Sequence, residues 1–386
     1  MTQLTTKKIY IIAGEASGDL HGSNLLKEFI QQNNESNSPL NLQFRFWGGD
    51  KMEEAIGQKP IKHFKELAFM GFVEVLANIR TILGNIAFCK KDIEAFQPDA
   101  LLLIDYPGFN LRIAEWAKLK EIKIYYYISP TVWAWKESRV YKIKKAVDHM
   151  FVILPFEKPF YDKFNYHVDY VGHPLLDAIG QYRFIQKDRV QFIHENKLNQ
   201  DPIIAILPGS RKQEIRKKLP VMLEAVKDLT NYQIIVAGAP SLDHSFYQEF
   251  IKSNSVKIVH GKTYDLLSAS EAAIVTSGTA TLETALLDIP EVVCYKTSKI
   301  SYSIAKRLVK IKFISLVNLI MDKEVVRELI QDDCTSETIK TELSYILEGG
   351  KNRNRILNEY QEMKKILGEG GASKKVAQLM LKTIQD

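Results

Sequence analysis

The feature that most constrains this sequence is an alternation of short apolar, β-rich runs with longer helical runs. In the first half the apolar runs, which we interpret as strands, are Lys8–Ala13, Leu42–Trp47, Ala100–Asp105, Ile122–Ile128 and His149–Leu154. Strands that are apolar throughout are expected when helices cover both faces of a parallel sheet. The alternation therefore predicts an α/β fold with a doubly wound sheet.

The alternation pauses and then begins again. Residues 177–200 are polar and charged and contain no strand-like run. Strand-like runs return at Pro202–Leu207, Gln233–Ala237, Val256–Val259, Ala272–Thr276 and Glu291–Tyr295. We therefore predict two Rossmann-like domains that face each other across a cleft, residues 1–177 and 178–365. A C-terminal helix at 366–386 is expected to cross back toward the first domain.

Composition and charge exclude several classes of protein. Hydrophobic residues are 46% and charged residues 25% of the 386 residues, as in soluble globular proteins. No apolar run approaches the ~20 residues of a transmembrane helix. We see no secretory signal at the N-terminus, and the 3 cysteines are scattered, which fits a reducing cytoplasm. A net charge of +6 is too small to predict a nucleic-acid-binding protein, although it suits an anionic substrate or membrane surface.

A glycine-rich turn, AGEASGDLHG at residues 13–22, follows the first predicted strand. Gly14 permits close approach of the backbone, and Glu15, Ser17, Asp19 and His21 would lie at the rim of the predicted cleft. The turn lacks the G-x-G-x-x-G pattern and the P-loop lysine, so it does not indicate a dinucleotide or P-loop site. A tight strand-to-helix turn would also explain the glycines, but the concentration of polar residues favours contact with a polar substrate.

A second polar turn follows the buried run at residues 101–104. Asp105 stands at the carboxyl end of this predicted strand, and Tyr-Pro-Gly then forces a turn before Asn110. Partial burial would raise the pKa of the carboxyl group toward the range of a general base. The alternative is an aspartate that only accepts hydrogen bonds from nearby amides, and spacing alone does not decide between the two.

The second predicted domain carries two turns suited to phosphate. LPGSR ends its first strand, where Arg211 offers a guanidinium fork for phosphate oxygens. VTSGTATLE runs from a later strand into a helix, and Ser277, Gly278 and Thr279 would let an anion approach the helix N-terminus. Glu283 lies one turn inside that helix and could reach ribose hydroxyls. Ordinary capping would explain the Ser-Gly-Thr turn too, but an arginine in the same domain favours a phosphate site.

Two segments have the character of membrane-surface elements. Residues 67–76 are more apolar than a loop requires. Residues 299–313 combine apolar residues at helical spacing with Lys306, Lys310 and Lys312. For each segment alone, a helix packed on the core with solvated lysines is the better interpretation. A lipid-bearing substrate would favour contact with an anionic membrane instead.

Together these features suggest a nucleotide diphosphate in the second domain and an acceptor near Asp105 and Glu15 in the first. Transfer of a glycosyl group from a nucleotide sugar is the reaction that fits best. The sequence has no DxD triad, HExxH motif or His/Cys spacing of a metal site, so we expect no metal or other cofactor. Arg211 and the helix after Ser277 would then stabilise the charge of the leaving group.

Six motifs occur in an order that resembles one enzyme family. They are AGEASGDLHG (13–22), IDYPGFN (104–110), ISPTVWAWK (128–136), VGHPLLD (171–177), LPGSRKQEI (207–215) and SGTATLETAL (277–286). Together they closely resemble the bacterial lipid-A-disaccharide synthases. The resemblance implies a GT-B fold and an inverting transfer from UDP-2,3-diacylglucosamine to 2,3-diacylglucosamine 1-phosphate, with release of UDP, in lipopolysaccharide biosynthesis. It also implies a peripheral protein on the inner face of the inner membrane, and it allows a homodimer.

The resemblance assigns roles to residues at matching positions. Asp105 would take the proton from the acceptor 6-hydroxyl, while Glu15 and His21 would line the acceptor side or support the base. Which of the three accepts the proton stays open. Arg211 and the turn of Ser277, Gly278 and Thr279 would hold the diphosphate.

The resemblance extends to the nucleotide itself, with two departures. Glu283 would hold the ribose. Asn318 and Glu324 lie in SLVNLIMDKEVVREL, which resembles the family's stretch beside the nucleotide. Val317 stands where the family usually has proline, and Lys136 stands where arginine is common. Neither departure touches the proposed base or the Ser-Gly-Thr turn.

Two other classes of function remain open. Another GT-B enzyme with a UDP-sugar, such as the N-acetylglucosaminyltransferase of peptidoglycan synthesis or a UDP-N-acetylglucosamine 2-epimerase, would share the nucleotide turns. A non-catalytic nucleotide-sugar sensor would bind UDP without turnover. Release of UDP that depends on an acylated acceptor separates a synthase from an epimerase, and Asp105→Ala would leave a sensor unchanged.

Overall fold

The computed structural model describes residues 4–67, 79–184, 189–251, 256–298, 302–303, 306–307 and 311–385. The chain divides into two compact units. The first consists of Met1–Asp177 together with Glu369–Asp386, and the second of Ala178–Gly368. Each unit is built around its own sheet.

The sheet of the first unit is parallel throughout. Its strands are β1 (Thr6–Ala13), β2 (Asn41–Gly48), β3 (Lys62–His63), β4 (Ala100–Ile104), β5 (Lys123–Tyr127), β6 (His149–Val152) and β7 (Asp169–Tyr170), in the order β3-β2-β1-β4-β5-β6-β7. The helices are Ala16–Asn34, Asp50–Ile56, Ile79–Phe96, Pro107–Lys118, Val132–Trp135, Val140–Ala146, Glu157–Asp162 and Ala372–Gln385, with 3-10 turns at Phe64–Glu66 and Glu137–Arg139. The helix Pro174–Phe184 contains the boundary between the units.

Both faces of this sheet are covered, which explains why its strands are apolar throughout. Alternate side chains of a strand point to opposite faces. Tyr10 and Ile12 of β1 therefore belong to one buried cluster, with Ile113 from the helix after β4. Ile9 and Ile11 belong to the other cluster, to which the C-terminal helix contributes Val376, Ala377, Met380 and Ile384. The last helix of the chain thus completes the core of the first unit.

The second unit repeats this architecture. Its parallel strands are β8 (Ile203–Leu207), β9 (Gln233–Gly238), β10 (Val256–His260), β11 (Ala272–Thr276), β12 (Glu291–Tyr295) and β13 (Arg327–Ile330), in the order β10-β9-β8-β11-β12-β13. Its helices are Arg189–Glu195, Lys212–Val226, His244–Gln248, Thr263–Ala269, Thr279–Leu286, Leu316–Met321, Ser336–Ser344 and Arg353–Leu367, with a 3-10 turn at Gln331–Asp333. The predicted α/β class with two doubly wound sheets is confirmed.

In both sheets the strand order reverses at the first strand of the unit. β1 lies between β2 and β4, and β8 lies between β9 and β11. Open α/β sheets bind ligands outside the carboxyl ends of the strands at such a switch point. The register pairs Ala13 with Ile104 and Leu207 with Val275. The polar turns that follow these strands therefore lie side by side, one pair in each unit.

The two predicted membrane segments fall largely outside this description. Of residues 67–76, all but Leu67 lie outside the described residues, and so do parts of 299–313, including Lys310. Lys306 and Lys312 are described, and both are exposed. None of the helices in the described part of the chain has the length and apolar character needed to span a bilayer.

Candidate active site

Asp105 directly follows β4, at the switch point of the first sheet. Its backbone N–H donates to the carbonyl of Tyr127 at the end of β5, at 2.9 Å. Its carbonyl accepts from the hydroxyl of Tyr126 at 2.6 Å and from Nδ2 of Asn110 at 2.8 Å. Nδ2 of the buried Asn110 also donates to the Ile104 carbonyl at 3.2 Å, so this amide binds two successive carbonyls of the turn. These bonds hold the backbone that carries the Asp105 carboxyl group.

The backbone at this edge is strained. Asp105 and Tyr106 have φ values of 46° and 48°, and Ile128, which follows β5, has a φ of 69°. Non-glycine residues seldom adopt this left-handed region, and a β-branched residue does so very rarely. Such strain costs about 1 kcal/mol or more per residue and concentrates at functional sites. The geometry alone therefore marks the carboxyl edge of β4 and β5 as a candidate site.

The carboxyl group of Asp105 is more basic than that of an ordinary aspartate. Burial, and after it the nearby charge of Glu15, raises its pKa from 3.8 to about 6, against the opposing effect of the backbone N–H of Tyr106. Glu15 precedes the helix Ala16–Asn34 as its N-cap residue, in an extended conformation. A carboxylate with this pKa is ionised at neutral pH, yet it is a stronger base than an ordinary aspartate.

Gly14 is required by its contact with Tyr106. A Cβ atom at position 14 would lie 2.2 Å from Cδ1 of the Tyr106 ring. The close approach predicted at this glycine is thus made by a side chain of the protein itself. Ser17 lies exposed in the first turn of the following helix. Asp19 is buried and accepts from the backbone N–H groups of Gly49, Lys51 and Met52, so it caps the helix Asp50–Ile56.

His21 is buried and neutral. Burial lowers its pKa to about 4, and its Nδ1 atom has no hydrogen-bond partner among the described residues. His173 lies close by: burial and the proximity of His21 lower its pKa to about 3. Nδ1 of His173 accepts from the backbone N–H of Leu175 at 3.2 Å. Two neutral imidazoles can offer hydrogen bonds, but at neutral pH each is a weaker base than Asp105.

The corresponding edge of the second sheet carries the two turns suited to phosphate. Gly209, after β8, has a φ of 113°, a conformation that other residues rarely adopt. Arg211 is the N-cap residue of the helix Lys212–Val226, and its Nη1 lies 3.6 Å from Oε1 of Glu214. Gly278 is the N-cap residue of the helix Thr279–Leu286. The first N–H groups of a helix have no intrahelical acceptor, so this edge presents donors to an anion.

The members of the Ser-Gly-Thr turn have different surroundings. The hydroxyl of Ser277 donates to the carbonyl of Ile314 at 2.9 Å, whereas Gly278 and Thr279 are exposed. Glu283 is half-buried, which raises its pKa, and its Oε1 accepts from the hydroxyl of Tyr264 at 3.0 Å. Ser277 therefore anchors the turn, and the next two residues offer the accessible amides.

The structure does not bring Asn318 and Glu324 to this site as ligands. Asn318 is fully buried; its Nδ2 donates to Val326 and Glu328, and its Oδ1 accepts from two backbone N–H groups of the same loop. The side-chain amide of Asn318 is therefore hydrogen-bonded to groups of the protein itself. Glu324 is exposed and pairs with Arg327 at 2.9 Å, at the start of β13. Because β13 runs parallel to β12 and β11, the start of β13 lies at the amino edge of the sheet. Gly278 follows β11 and therefore lies at the opposite, carboxyl edge.

Comparison with known proteins decides the family. A family model described as lipid-A-disaccharide synthetase matches residues 9–383. A protein of Syntrophus aciditrophicus named lipid-A-disaccharide synthase is 38% identical, over 99% of both chains. A protein of Coxiella burnetii with the same name is 36% identical, over 98% of both chains. This chain belongs to the lipid-A-disaccharide synthase family. It is therefore an enzyme, a glycosyltransferase of lipid A biosynthesis, and this assignment is favoured over the epimerase and sensor alternatives.

Solved structures share the fold of this synthase at low sequence identity. The UDP-GlcNAc 2-epimerase of Neisseria meningitidis matches with a TM-score of 0.67 and 14% identity, over 97% of this chain and 100% of the other. A glycotransferase of kitacinnamycin matches with a TM-score of 0.64 and 11% identity, over 97% of this chain and 98% of the other. The predicted GT-B fold is thereby confirmed. At this level of identity, the likeness concerns the fold alone.

Two buried polar residues of the synthase were not predicted as site residues. His173 lies close to His21, and the one sign of it in the sequence was its place in the VGHPLLD motif. Glu157 is buried after β6, and burial raises its pKa to about 7. Its carboxylate accepts from the backbone N–H groups of Ile153 and Leu154 and from Nε1 of Trp133. Glu157 thus ties the loop after β5 to the end of β6.

Proposed function

We propose that this synthase transfers 2,3-diacylglucosamine from UDP to the 6-hydroxyl of 2,3-diacylglucosamine 1-phosphate, with inversion at the anomeric carbon. The observation that carries the proposal is the Asp105 carboxyl group, raised in pKa to about 6 on a strained strand end at the switch point of the first sheet. The donor turns at the switch point of the second sheet and the family membership support the substrate class.

In the proposed step, Asp105 takes the proton of the acceptor hydroxyl. The hydroxyl oxygen forms a bond to the anomeric carbon of the donor, and the bond from that carbon to the UDP oxygen breaks. The electron pair of that bond leaves with UDP. Glu15 supports the step by raising the pKa of the base. His21 is neutral, and its Nδ1 has no partner among the described residues, so it would accept a hydrogen bond from the acceptor sugar rather than take its proton.

Groups of the second unit would stabilise the charge that develops on UDP. Arg211 offers a fork to the phosphate oxygens, and the amides that follow Gly278 offer N–H donors with the favourable end of the helix dipole. Ser277 would hold this turn in place through its bond to Ile314. Tyr264 fixes one oxygen of the Glu283 carboxylate, and we assign the other oxygen to a ribose hydroxyl.

We further propose that the protein works at the inner face of the inner membrane. Diacylated sugars remain in the bilayer, so the enzyme must meet them at its surface. Residues 67–76 would enter the interface, and Lys306, Lys310 and Lys312 would meet anionic lipid. The homodimer that the family resemblance allows stays a prediction.

The test of the function uses the purified full chain and both acylated sugars. Mass detection should find the disaccharide 1-phosphate and UDP in equal amounts, with or without a chelator, and only when donor and acceptor are present together. UDP or an epimerised sugar formed without the acceptor would support an epimerase. Binding of UDP with no product under any condition would support a sensor.

A further inference from the structure

A buried lysine lies beneath the turn after β8. Only 2% of the surface of Lys218 is exposed, although its neighbour Lys217 on the same helix is exposed. A Cβ atom placed on Gly209 would lie 2.8 Å from Oε2 of Glu214 and 3.7 Å from the Lys218 ammonium, and these two groups lie 3.7 Å apart. A carboxylate and a buried ammonium thus both lie under the turn to which we assign the diphosphate.

This lysine shares its carboxylate partner with the arginine of the same turn. Glu214 lies between the two cations, with Oε1 3.6 Å from Arg211 and Oε2 3.7 Å from Lys218. Two positive groups and one negative group leave these three residues with a charge of +1. Burial lowers the pKa of Lys218, as expected for an ammonium group removed from water, and Glu214 partly opposes that shift. Such a group is costly to bury unless a further anion approaches it.

Besides Glu214, two thiols are the titratable groups among the described residues that affect this ammonium. The buried thiols of Cys294 and Cys334 lie close enough for their charge state to affect Lys218. Thiols are weak hydrogen-bond partners. The hydrogen bond with Cys294 lowers the pKa of Cys334, although burial opposes this shift.

We propose that Lys218 is a positioning residue of the donor site: it places positive charge under the Gly209 turn and, through Glu214, orients Arg211 toward the diphosphate of the UDP-sugar. This inference rests on the proposed function and adds a residue to it. The charge acts from a buried position, where screening by water is weak. Its contribution should therefore depend on the phosphates of the ligand and not on the base or ribose.

Equilibrium binding of UDP and of uridine tests this dependence. Lys218→Met keeps the apolar stem and removes the charge, and Lys217→Met is the matched exposed control. We expect Lys218→Met to weaken UDP binding about 10- to 100-fold and to leave uridine binding within about twofold. Lys217→Met should change neither. Equal weakening of UDP and uridine, or no change in UDP binding, would overturn the proposal.

Two further measurements separate positioning from a structural role. Thermal unfolding without ligand should show Lys218→Met melting at the same or a higher temperature, because a buried charge has been removed and Glu214 keeps Arg211 as its ion partner. A variant that melts lower or fails to fold would assign the lysine a structural role and overturn the proposal. Cys334→Ala should leave UDP affinity unchanged. A selective loss of UDP affinity in this variant would mean that Lys218 acts on the thiol, and this result would also overturn the proposal.

The same binding experiment distinguishes failure of this inference from failure of the proposed function. A wild-type chain that does not bind UDP would contradict the donor site and the role of Lys218 together. If the wild-type chain binds UDP and Lys218→Met binds it equally tightly, that result would contradict the role of Lys218 alone.

Discussion

Asp105 combines two properties that oppose stability, a left-handed backbone and a partly buried charge. Its pKa in the fold, about 6, lies above the ordinary value of 3.8. The stability contributed by its neutral form is therefore fully present below pH 3.8 and is lost as the pH rises through about 6. At neutral pH the enzyme carries this residue in its less stable, ionised form, which is the form that can accept a proton.

The pH dependence of the reaction follows from this pKa. We expect kcat/KM to rise with pH through about 6, as Asp105 becomes ionised. Glu15→Gln removes the second cause of the raised pKa, so the acid limb of the profile should move to lower pH. Glu137→Gln, at an exposed position, is the control and should leave the limb in place. A limb that stays unchanged in Glu15→Gln would contradict the coupling of the two carboxyl groups.

At the scale of elements, the turn after β1 and the turn after β4 form one packed unit. The ring of Tyr106 lies against Gly14, and Tyr106 is the residue next to the proposed base, Asp105. The position of Asp105 therefore depends on a residue far away in the sequence. Substitution at the glycine should act on the chemistry through the ring, without touching the carboxyl group itself.

Gly14→Ala tests this dependence. The new methyl group would lie 2.2 Å from the Tyr106 ring, so the ring and the adjoining base must move. We expect steady-state kinetics to show a fall in kcat of about 10²-fold, the order expected when a catalytic group is misplaced by ~1 Å. Gly108→Ala is the matched control, since a Cβ atom there meets nothing within 4 Å. Equal activity of the two variants would contradict the account of the turn.

The strands show how much of the fold can be predicted from the sequence. Ala272–Thr276 and Glu291–Tyr295 were predicted at their observed bounds, because runs buried on both faces are apolar throughout. Three strands were missed. β3 and β7 have two residues each, too few for a pattern, and β13 has the polar sequence RELI at the edge of its sheet. Edge strands are only partly covered, so they carry little hydrophobic signal.

Within the site, the sequence identified positions but not orientations. Asp105 and Gly278 follow apolar strands, so the predicted ends of those strands were enough to locate them. The internal bonds of Asn318 and the place of Glu324 at the amino edge depend on the path of the chain between residues 314 and 327, which no local pattern reveals. Lys218 was missed because helical spacing does not distinguish a buried lysine from its exposed neighbour.

At the scale of the whole molecule, attachment to the membrane would supply both substrates. The proposed membrane contact combines an apolar segment with lysines 306, 310 and 312. Attraction between exposed charges is screened by salt, with a Debye length of about 10 Å at 0.1 M. The lysine contribution should therefore be strongest at low ionic strength.

Sedimentation with anionic liposomes measures this contribution. Replacing Lys306, Lys310 and Lys312 together with glutamine should reduce the bound fraction at low salt, by roughly 1 kcal/mol of binding free energy per lysine near the surface. The control replaces three exposed lysines elsewhere, at positions 340, 351 and 365. Equal binding of both triple variants and the wild type would refute the electrostatic part of the proposal.

The central claim is that Asp105 accepts the proton from the acceptor while the second unit holds UDP. Turnover and UDP affinity measured together in Asp105→Asn test it most directly, with the exposed Asp162→Asn as the control. We predict that Asp105→Asn lowers turnover about 10²- to 10⁴-fold and keeps UDP affinity within about twofold of the wild type. Full turnover in Asp105→Asn, at any pH above 6, would contradict the claim.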